Sequence, residues 1–412
     1  MTRKEYSVVI LVLGALCTVS PFAIDMYLPG FPAIAKDLDT SVAQVQLSLT
    51  AYLVGISVGQ LIYGPLLDRY GRKSPLYFGM AIYLVASLLC ALTASVEQLI
   101  VMRFFQALGG CVGLVCAQAL VRDIFPVNKT AQAFALLTLV VAVSPMIAPT
   151  VGGYVTSSSF GWHGVFVILA IISVIIILGI YFYLPDGKKA DPSISLRPVA
   201  VASNFLIVLK QPQFLLYMLV GGIATSASFA YIAGSSDVFI TIFKVSEQQY
   251  GWIFAILAFA LIGSTQLNHL LLRTFKSEQI IKVALYYQFG TGIIMVVGSW
   301  MNWFDAVGLV AIMFFFLSGQ GLAGPNTSAL SLAPFVKHAG SAAALMGSFR
   351  MAFGGLASAL VSVAHNGTTF PMVVVMFLCS AIALFILLLK KITKLYRARK
   401  NKGKEATITW DL

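Results

Sequence analysis

The residues able to do chemistry are few, and most of them interrupt apolar runs. Asp25, Arg103 and Arg350 stand inside stretches otherwise dominated by Leu, Val, Ile, Phe, Ala and Gly. An ionisable group in such a run is costly to bury and is a functional residue by default. A second group is contiguous: Gly64-Pro65-Leu66-Leu67-Asp68-Arg69-Tyr70-Gly71-Arg72-Lys73, with charges of both signs around a turn glycine. What the chain lacks also constrains it. There is no G-x-x-x-x-G-K-[ST] loop, so direct coupling to ATP within this chain is not expected. There is no H-E-x-x-H pattern, and His163, His269, His338 and His365 are scattered. Cys17, Cys90, Cys111, Cys116 and Cys379 all fall in apolar runs with no C-x-x-C pair, and read as free buried thiols. No metal site, cofactor or enzymatic centre is expected.

The elements that must position these residues follow from composition. Of 412 residues, 59% are hydrophobic and 10% charged, against about 25% charged in a soluble domain. Lipid is the expected solvent. A spanning helix needs roughly 20 apolar residues. Twelve candidates lie near 7–28, 44–66, 75–95, 98–121, 132–155, 163–184, 214–238, 248–270, 279–300, 304–326, 341–363 and 370–390. The seventh is diluted by Ser and Gly, and the tenth is interrupted between Gly321 and Asn326. Arg3 and Lys4 precede a long run without a convincing cleavage site, so a first span is read there rather than a signal peptide.

The formal charge of +12 does not form a nucleic-acid patch. With both termini in the cytoplasm, twenty-three Lys and Arg fall in inner segments, only Lys36 and Lys244 fall outside, and Arg103 and Arg350 remain in helices. This is the asymmetry of the positive-inside rule, and a different helix count would scramble it. Residues 185–213 are polar and Pro-rich. They divide a six-helix unit, 1–184, from a second, 214–391, and a basic cytoplasmic tail occupies 392–412. Two parallel six-helix halves are a known transporter plan. The tail suits anionic headgroups.

The 64–73 loop resembles the G-x-L-x-D-R-x-G-R-[RK] signature of the major facilitator superfamily. The resemblance implies a gating latch of Gly64, Asp68, Arg69, Gly71 and Arg72. Asp68 would face a neighbouring helix N-terminus, and Arg72 would pair with Asp123 at the end of the fourth span. The region Asn268 to Ser277 is a degenerate second copy. Arg103-Phe104-Phe105-Gln106-Ala107-Leu108-Gly109 resembles the R-x-x-Q-G-x-G motif of drug:proton antiporters, with Ala107 in place of a glycine. Ser144 to Gly153 resembles the fifth-helix antiporter motif, with Pro145, Pro149, Gly152 and Gly153 kept and Ala148 where glycine is usual. Together with Asp25 to Pro29, Phe229 to Ser235 and Pro325-Asn326, these phrases are similar to the bicyclomycin-resistance (Bcr/CflA) branch over about residues 7–390. Ser236 departs from the proline of that branch.

The resemblance implies an all-α membrane fold of two six-helix bundles around a cavity, and proton-coupled export of drugs or small amphipathic metabolites. Asp25 and Arg103 sit at similar depth and are the expected proton-coupling pair. A structural helix-end pair, or an Arg103 that snorkels to the outer headgroups, stays open. Burial favours the neutral form of a carboxyl, which is what a proton switch needs. Tyr27, Tyr52, Gln106, Phe229, Tyr231, Asp237, Gln320 and Arg350 are candidates to line the cavity. Asp237 reads as an exposed helix end or a second proton or cation site. Arg350 reads as an anchor for an anionic or zwitterionic solute. The expected partners are a small-molecule substrate, protons and the lipid bilayer, with the chain acting as a monomer in the bacterial inner membrane. An importer of a metabolite or siderophore-like solute, and an uncoupled channel or sensor, remain as alternatives.

Overall fold

The computed structural model describes residues 3–335 and 338–408. The path runs α1 (Arg3–Asp25), a 3-10 turn (Leu28–Gly30), α2 (Phe31–Asp37), α3 (Val42–Arg69), α4 (Lys73–Ala91), α5 (Val96–Ile124), α6 (Val127–Thr156) and α7 (Gly161–Tyr183). After α8 (Pro198–Leu209) come α9 (Pro212–Ser236) with a π-helical turn (Asp237–Ile242), α10 (Glu247–Leu271), α11 (Ser277–Trp300), α12 (Ala306–Leu332), α13 (Ala339–Val363) and α14 (Phe370–Ile408). Among the described residues, twelve helices are long and apolar enough to cross a membrane. Lys337 lies outside the described residues, as do the side chains of Arg3, Lys4 and the basic tail from Lys390. All five cysteines are free and buried.

In hydrocarbon every backbone polar group must find a partner inside the protein. The sequence meets this at both kinds of weak point. Ser41, Ser95, Ser246 and Asp305 accept hydrogen bonds from the exposed N–H groups that open α3, α5, α10 and α12. These four ends lie on one side of the molecule, because alternate helices start there. The expected break at Gly321 to Asn326 is not a break. Pro325 has no N–H to give to the carbonyl of Gly321, four residues earlier. Thr265 Oγ1 of α10 supplies the missing donor at 3.1 Å, and α12 runs on unbroken. Pro145 likewise frees the carbonyl of Val141, which accepts from Ser144 Oγ at 2.8 Å.

The polar interval between the halves is not wholly irregular. Its second part forms α8, whose Val208 is buried with Phe214, Met218, Ala342 and Leu345 of α9 and α13. The dilute seventh span is stable for a different reason. It is buried among other helices, and its Thr225 and Ser226 hydroxyls donate to the carbonyls four residues back.

Two bundles meet along α3 against α13 and α6 against α10. The α3–α13 contact is a seam of hydroxyls. Ser362 Oγ donates to the Ala43 carbonyl, Thr50 Oγ1 donates to Ser358 Oγ at 2.9 Å, and Ser57 Oγ donates to the Ser348 carbonyl at 2.9 Å. Below them Gln60 lies against Gly347. The end that carries the 64–73 loop is called here the basic end. At the opposite end the bundles are shut against each other: α2 packs on the π-helical turn, the 3-10 turn packs on α9 and α10, and Gln248 Nε2 donates to Ser157 Oγ at 3.1 Å.

Substituting Thr265→Val removes the hydroxyl shared between the Gly321 carbonyl and the Leu261 carbonyl of its own helix. It should lower stability by about 0.6–1.7 kcal/mol, the range for interhelical hydrogen bonds in membranes. SDS-titrated unfolding measures this. Thr138→Val is the control, because its hydroxyl only shares the Phe134 carbonyl of an intact helix, and it should change nothing.

Candidate functional site

At the basic end Gly71 turns the chain with φ +79°, a left-handed conformation that suits glycine. The turn presents Arg72 to two carboxylates. Its Nε donates to Asp123 Oδ2 at 2.7 Å and its Nη1 to Asp68 Oδ1 at 2.9 Å. The expected pairing of Arg72 with Asp123 is therefore made. Asp68 faces the N-terminus of α4 through the side chain of Arg72, the residue that precedes that helix across the turn. Gly64 has open space where a side chain would stand.

The interval after α7 completes this cluster, which the sequence motif did not indicate. The backbone N–H of Lys188 donates to Asp123 Oδ2 at 3.0 Å, and Arg69 Nη1 donates to the carbonyls of Pro192 and Ile194. Lys73 pairs with Asp186 at 2.8 Å. The Lys73 ammonium holds the exposed Asp186 carboxyl below the usual carboxylate range. That tie is present above the ordinary carboxyl pKa of about 4 and is lost as pH falls below it.

Near the closed end, α1 stops at Asp25 and leaves its last carbonyls without helical partners. Arg103 of α5 fills one of these places. Its Nη2 donates to the Ala23 carbonyl at 2.9 Å and its Nη1 to Gln106 Oε1 at 2.6 Å. The guanidinium lies 4.0 Å from the centre of the Tyr27 ring and 4.1 Å from that of Tyr52. Arg103 is fully buried, so it does not snorkel. Gln106 passes the chain of bonds on, its Nε2 donating to Ser87 Oγ at 2.8 Å.

Asp25 is not Arg103's partner. Arg103 makes no ion pair among the described residues, and Asp25 Oδ1 has no hydrogen-bond partner there. Depth matched, but direction did not: the guanidinium's Nη1 and Nη2 go to an amide and a carbonyl, and its buried Nε has no partner among the described residues. Asp25 instead lies within electrostatic reach of the buried phenols Tyr231 of α9 and Tyr250 of α10, across the boundary between bundles. The antiporter-like segment of α6 frames this boundary. A side chain at Gly152 would fall on the Met26 carbonyl, and one at Gly153 on the Glu247 carbonyl of α10. Two consecutive glycines thus let α6 touch the end of α1 and the other bundle together. Pro145 and Pro149 both lie inside a continuous α6. Ala107, where glycine was expected, packs on Gly55 of α3, whose lack of a side chain makes the room.

A family model of the Major Facilitator Superfamily matches residues 13–361. The "Bicyclomycin resistance protein homolog" of Haemophilus influenzae is 32% identical over 92% of this chain and 95% of its own length. The chain belongs to the Major Facilitator Superfamily. The "Uncharacterized MFS-type transporter YdgK" of Bacillus subtilis is 34% identical over 92% of this chain and 94% of its own. The "Multidrug resistance protein MdtL" of Escherichia coli is 26% identical over 91% and 93%. These relatives bear out the likeness to the bicyclomycin-resistance branch. The fold is shared with a bacterial homolog of the human lysosomal transporter Spinster, inward-facing and occupied, with TM-score 0.71 and 14% identity over 95% of this chain and 98% of that one. It is shared equally with the D-xylose–proton symporter, with TM-score 0.71 and 14% identity over 93% and 97%. The chain is a multi-pass membrane transporter of the bacterial inner-membrane kind, not an enzyme.

For a superfamily member, several expected cavity residues have other work. Tyr27, Tyr52 and Gln106 enclose Arg103. Phe229 packs on Gly354, Tyr231 stacks at 5.3 Å on Phe254, and Gln320 Nε2 donates to the Thr225 carbonyl at 3.2 Å. Asp237 is not an exposed helix end. It is buried in the π-helical turn and meets His365 Nε2 at 2.8 Å. His365 was legible only as a histidine beyond the eleventh span. Arg350 keeps a free guanidinium, treated below. In the second half, where the loop motif is degenerate, Asn326 Nδ2 donates to Asn268 Oδ1 at 2.6 Å between α12 and α10.

Replacing Asp123 by Ala removes the acceptor shared by Arg72 and the Lys188 N–H. Breaking such a partly buried charge pair costs on the order of 2 kcal/mol. Trypsin cleavage after Lys188 and Lys189 should become about tenfold faster or more in folded protein, and unchanged cleavage would show that the interval is held elsewhere.

Proposed function

We propose that the chain exports small amphipathic solutes, drugs among them, in exchange for protons by alternating access. The observation that carries this reading is Asp25, a buried carboxyl with an unpartnered oxygen, set where α1 breaks and facing phenols of the other bundle. A neutral carboxyl tolerates a dry boundary between bundles. A carboxylate there is a buried charge without a partner and favours parting of the bundles, which lets water in.

The cycle follows from that difference. A proton taken from outside neutralises Asp25 and lets the outer end shut, as it is here. Loss of the proton to the cytoplasm, together with solute capture, restores the tendency to open outward. Each charge moving through 100 mV supplies about 2.3 kcal/mol. The Arg72–Asp68–Asp123 latch acts at the basic end, which the positive-inside count assigns to the cytoplasm. Arg103 positions the broken end of α1 rather than carrying the proton. One chain holds both bundles, which supports action as a monomer. The names of the bicyclomycin-resistance and multidrug-resistance relatives favour drugs as the solute class. The D-xylose–proton symporter shares the fold, so the fold alone does not set direction.

Inside-out vesicles with an acidified lumen separate the readings. Antibiotics and amphipathic dyes should accumulate inside while the pH gradient partly collapses. Asp25→Asn should abolish that collapse and gradient-driven uptake yet keep solute exchange at zero gradient. Solute moving in the same direction as protons would make the chain an importer, and an undiminished response in Asp25→Asn would remove Asp25 from the coupling step.

A further inference from the structure

A second membrane-embedded arginine has none of the compensation that surrounds Arg103. Arg350 lies near the middle of α13. Among the described residues its guanidinium donates no hydrogen bond and pairs with no carboxylate, and Nε is buried with no partner. Part of the side chain remains accessible from a recess between α9, α12 and α13. Tyr217, Gly221, Thr225, Thr327, Ser328 and Met346 line this recess with Arg350. The space it encloses is small, about 10 Å³, enough for roughly one water, so in this state it admits a ligand's head group and leaves the body at the open mouth. Gly222 opposes the Arg350 backbone, with Phe353 beside it.

The donors in the recess are already committed, except one group. The hydroxyls of Thr225, Thr327 and Ser328 each donate to a carbonyl of their own helix. The Tyr217 hydroxyl donates to Glu278 Oε1 of α11 at 2.9 Å. Among the described residues that line the recess, Arg350 is left as the one cation and the one free donor set.

We propose that Arg350 and this recess bind the carboxylate of a monoanionic, partly apolar cargo. A bare buried cation is expensive unless an anion joins it. A single guanidinium matches one planar carboxylate through paired N–H donors. A phosphate dianion would leave a net charge in a recess that has no second cation and no free hydroxyl donor. Met218 and Met346 offer the apolar body of the ligand a soft surface. The word cargo rests on the transport reading above; the binding does not.

The test uses the full chain in nanodiscs of phosphatidylcholine alone, without a gradient. Acetate, benzoate, phenylacetate and octanoate are each titrated against the matching neutral amide, with melting temperature and calorimetry as readouts. Carboxylates should bind more tightly than their amides, and more so as the apolar body grows. Arg350→Met should weaken carboxylate binding roughly 10- to 100-fold, the span of a charge-assisted hydrogen bond, and leave amide binding unchanged. Arg350→Lys should retain a measurable share. Unliganded Arg350→Met should melt no lower than the unsubstituted chain, because an uncompensated buried charge has been removed. A lower melting temperature for Arg350→Met would make the arginine structural. Equal binding of carboxylate and amide, absence of any carboxylate effect across the series, or an Arg350 effect seen only with anionic lipid added would each overturn the proposal. Carboxylate binding in a chain that fails the vesicle experiment would leave this site standing and remove the exchange reading.

Discussion

The point at which α1 stops organises the boundary between the bundles, and one hydrogen bond holds it. Arg103 Nη2 meets the Ala23 carbonyl at 2.9 Å, a carbonyl that a continuing helix would have used itself. In hydrocarbon an unsatisfied carbonyl and an unpaired guanidinium are each costly. Joined, and covered by the faces of Tyr27 and Tyr52, they offset one another. The positive charge also sits where the helix dipole is negative. Because the chain turns here, Met26 brings its carbonyl against Gly152 and Asp25 is carried toward the other bundle.

This explains which parts of the site were legible in the sequence. The latch was legible because its residues are contiguous and their spacing fixes the turn: Gly71 sets the backbone and Arg72 follows at once. Its reach to Asp123 needed only the end of the fourth span. The contribution of residues 186–194 was not legible, because it is made largely by backbone N–H and carbonyl groups that any residue carries. The surroundings of the cavity candidates were not legible for a related reason. Tyr27 and Tyr52 turn their ring faces, and Gln106 its amide oxygen, to a buried cation. Helical depth can be counted from a sequence, whereas the direction in which a side chain leaves its helix depends on the neighbouring helices. Asp25 and Arg103 illustrate the difference.

The two halves solve the same packing problem with different chemistry. The first joins the end of its second span to its fourth through the Arg72, Asp68 and Asp123 charges. The second joins the corresponding helices through the neutral Asn268 and Asn326 amides, both buried. An amide pair has no net charge to desolvate and responds little to salt or pH. A charge cluster at the membrane surface is screened by salt and draws the connecting segment to itself through Lys73, Arg69 and Asp186. Adjustable contacts are thus concentrated in the first half, beside the segment that joins the halves.

The two embedded arginines carry this contrast to its end. Residue type and depth alone made them equivalent. Arg103 has two acceptors, two close aromatic faces and no accessible surface, so although its Nε too lacks a partner, no solute can reach it. Arg350 faces hydroxyls whose protons point elsewhere and a small recess that opens beside it. A fold that tolerates an uncompensated cation in that position gives up stability there, and such concessions concentrate where function needs them. The distinction between the two arginines is therefore a matter of how much remains unsatisfied and of whether a solute can reach it: Arg103 is sealed with both Nη groups placed, whereas the unmet hydrogen bonding of Arg350 opens on a recess.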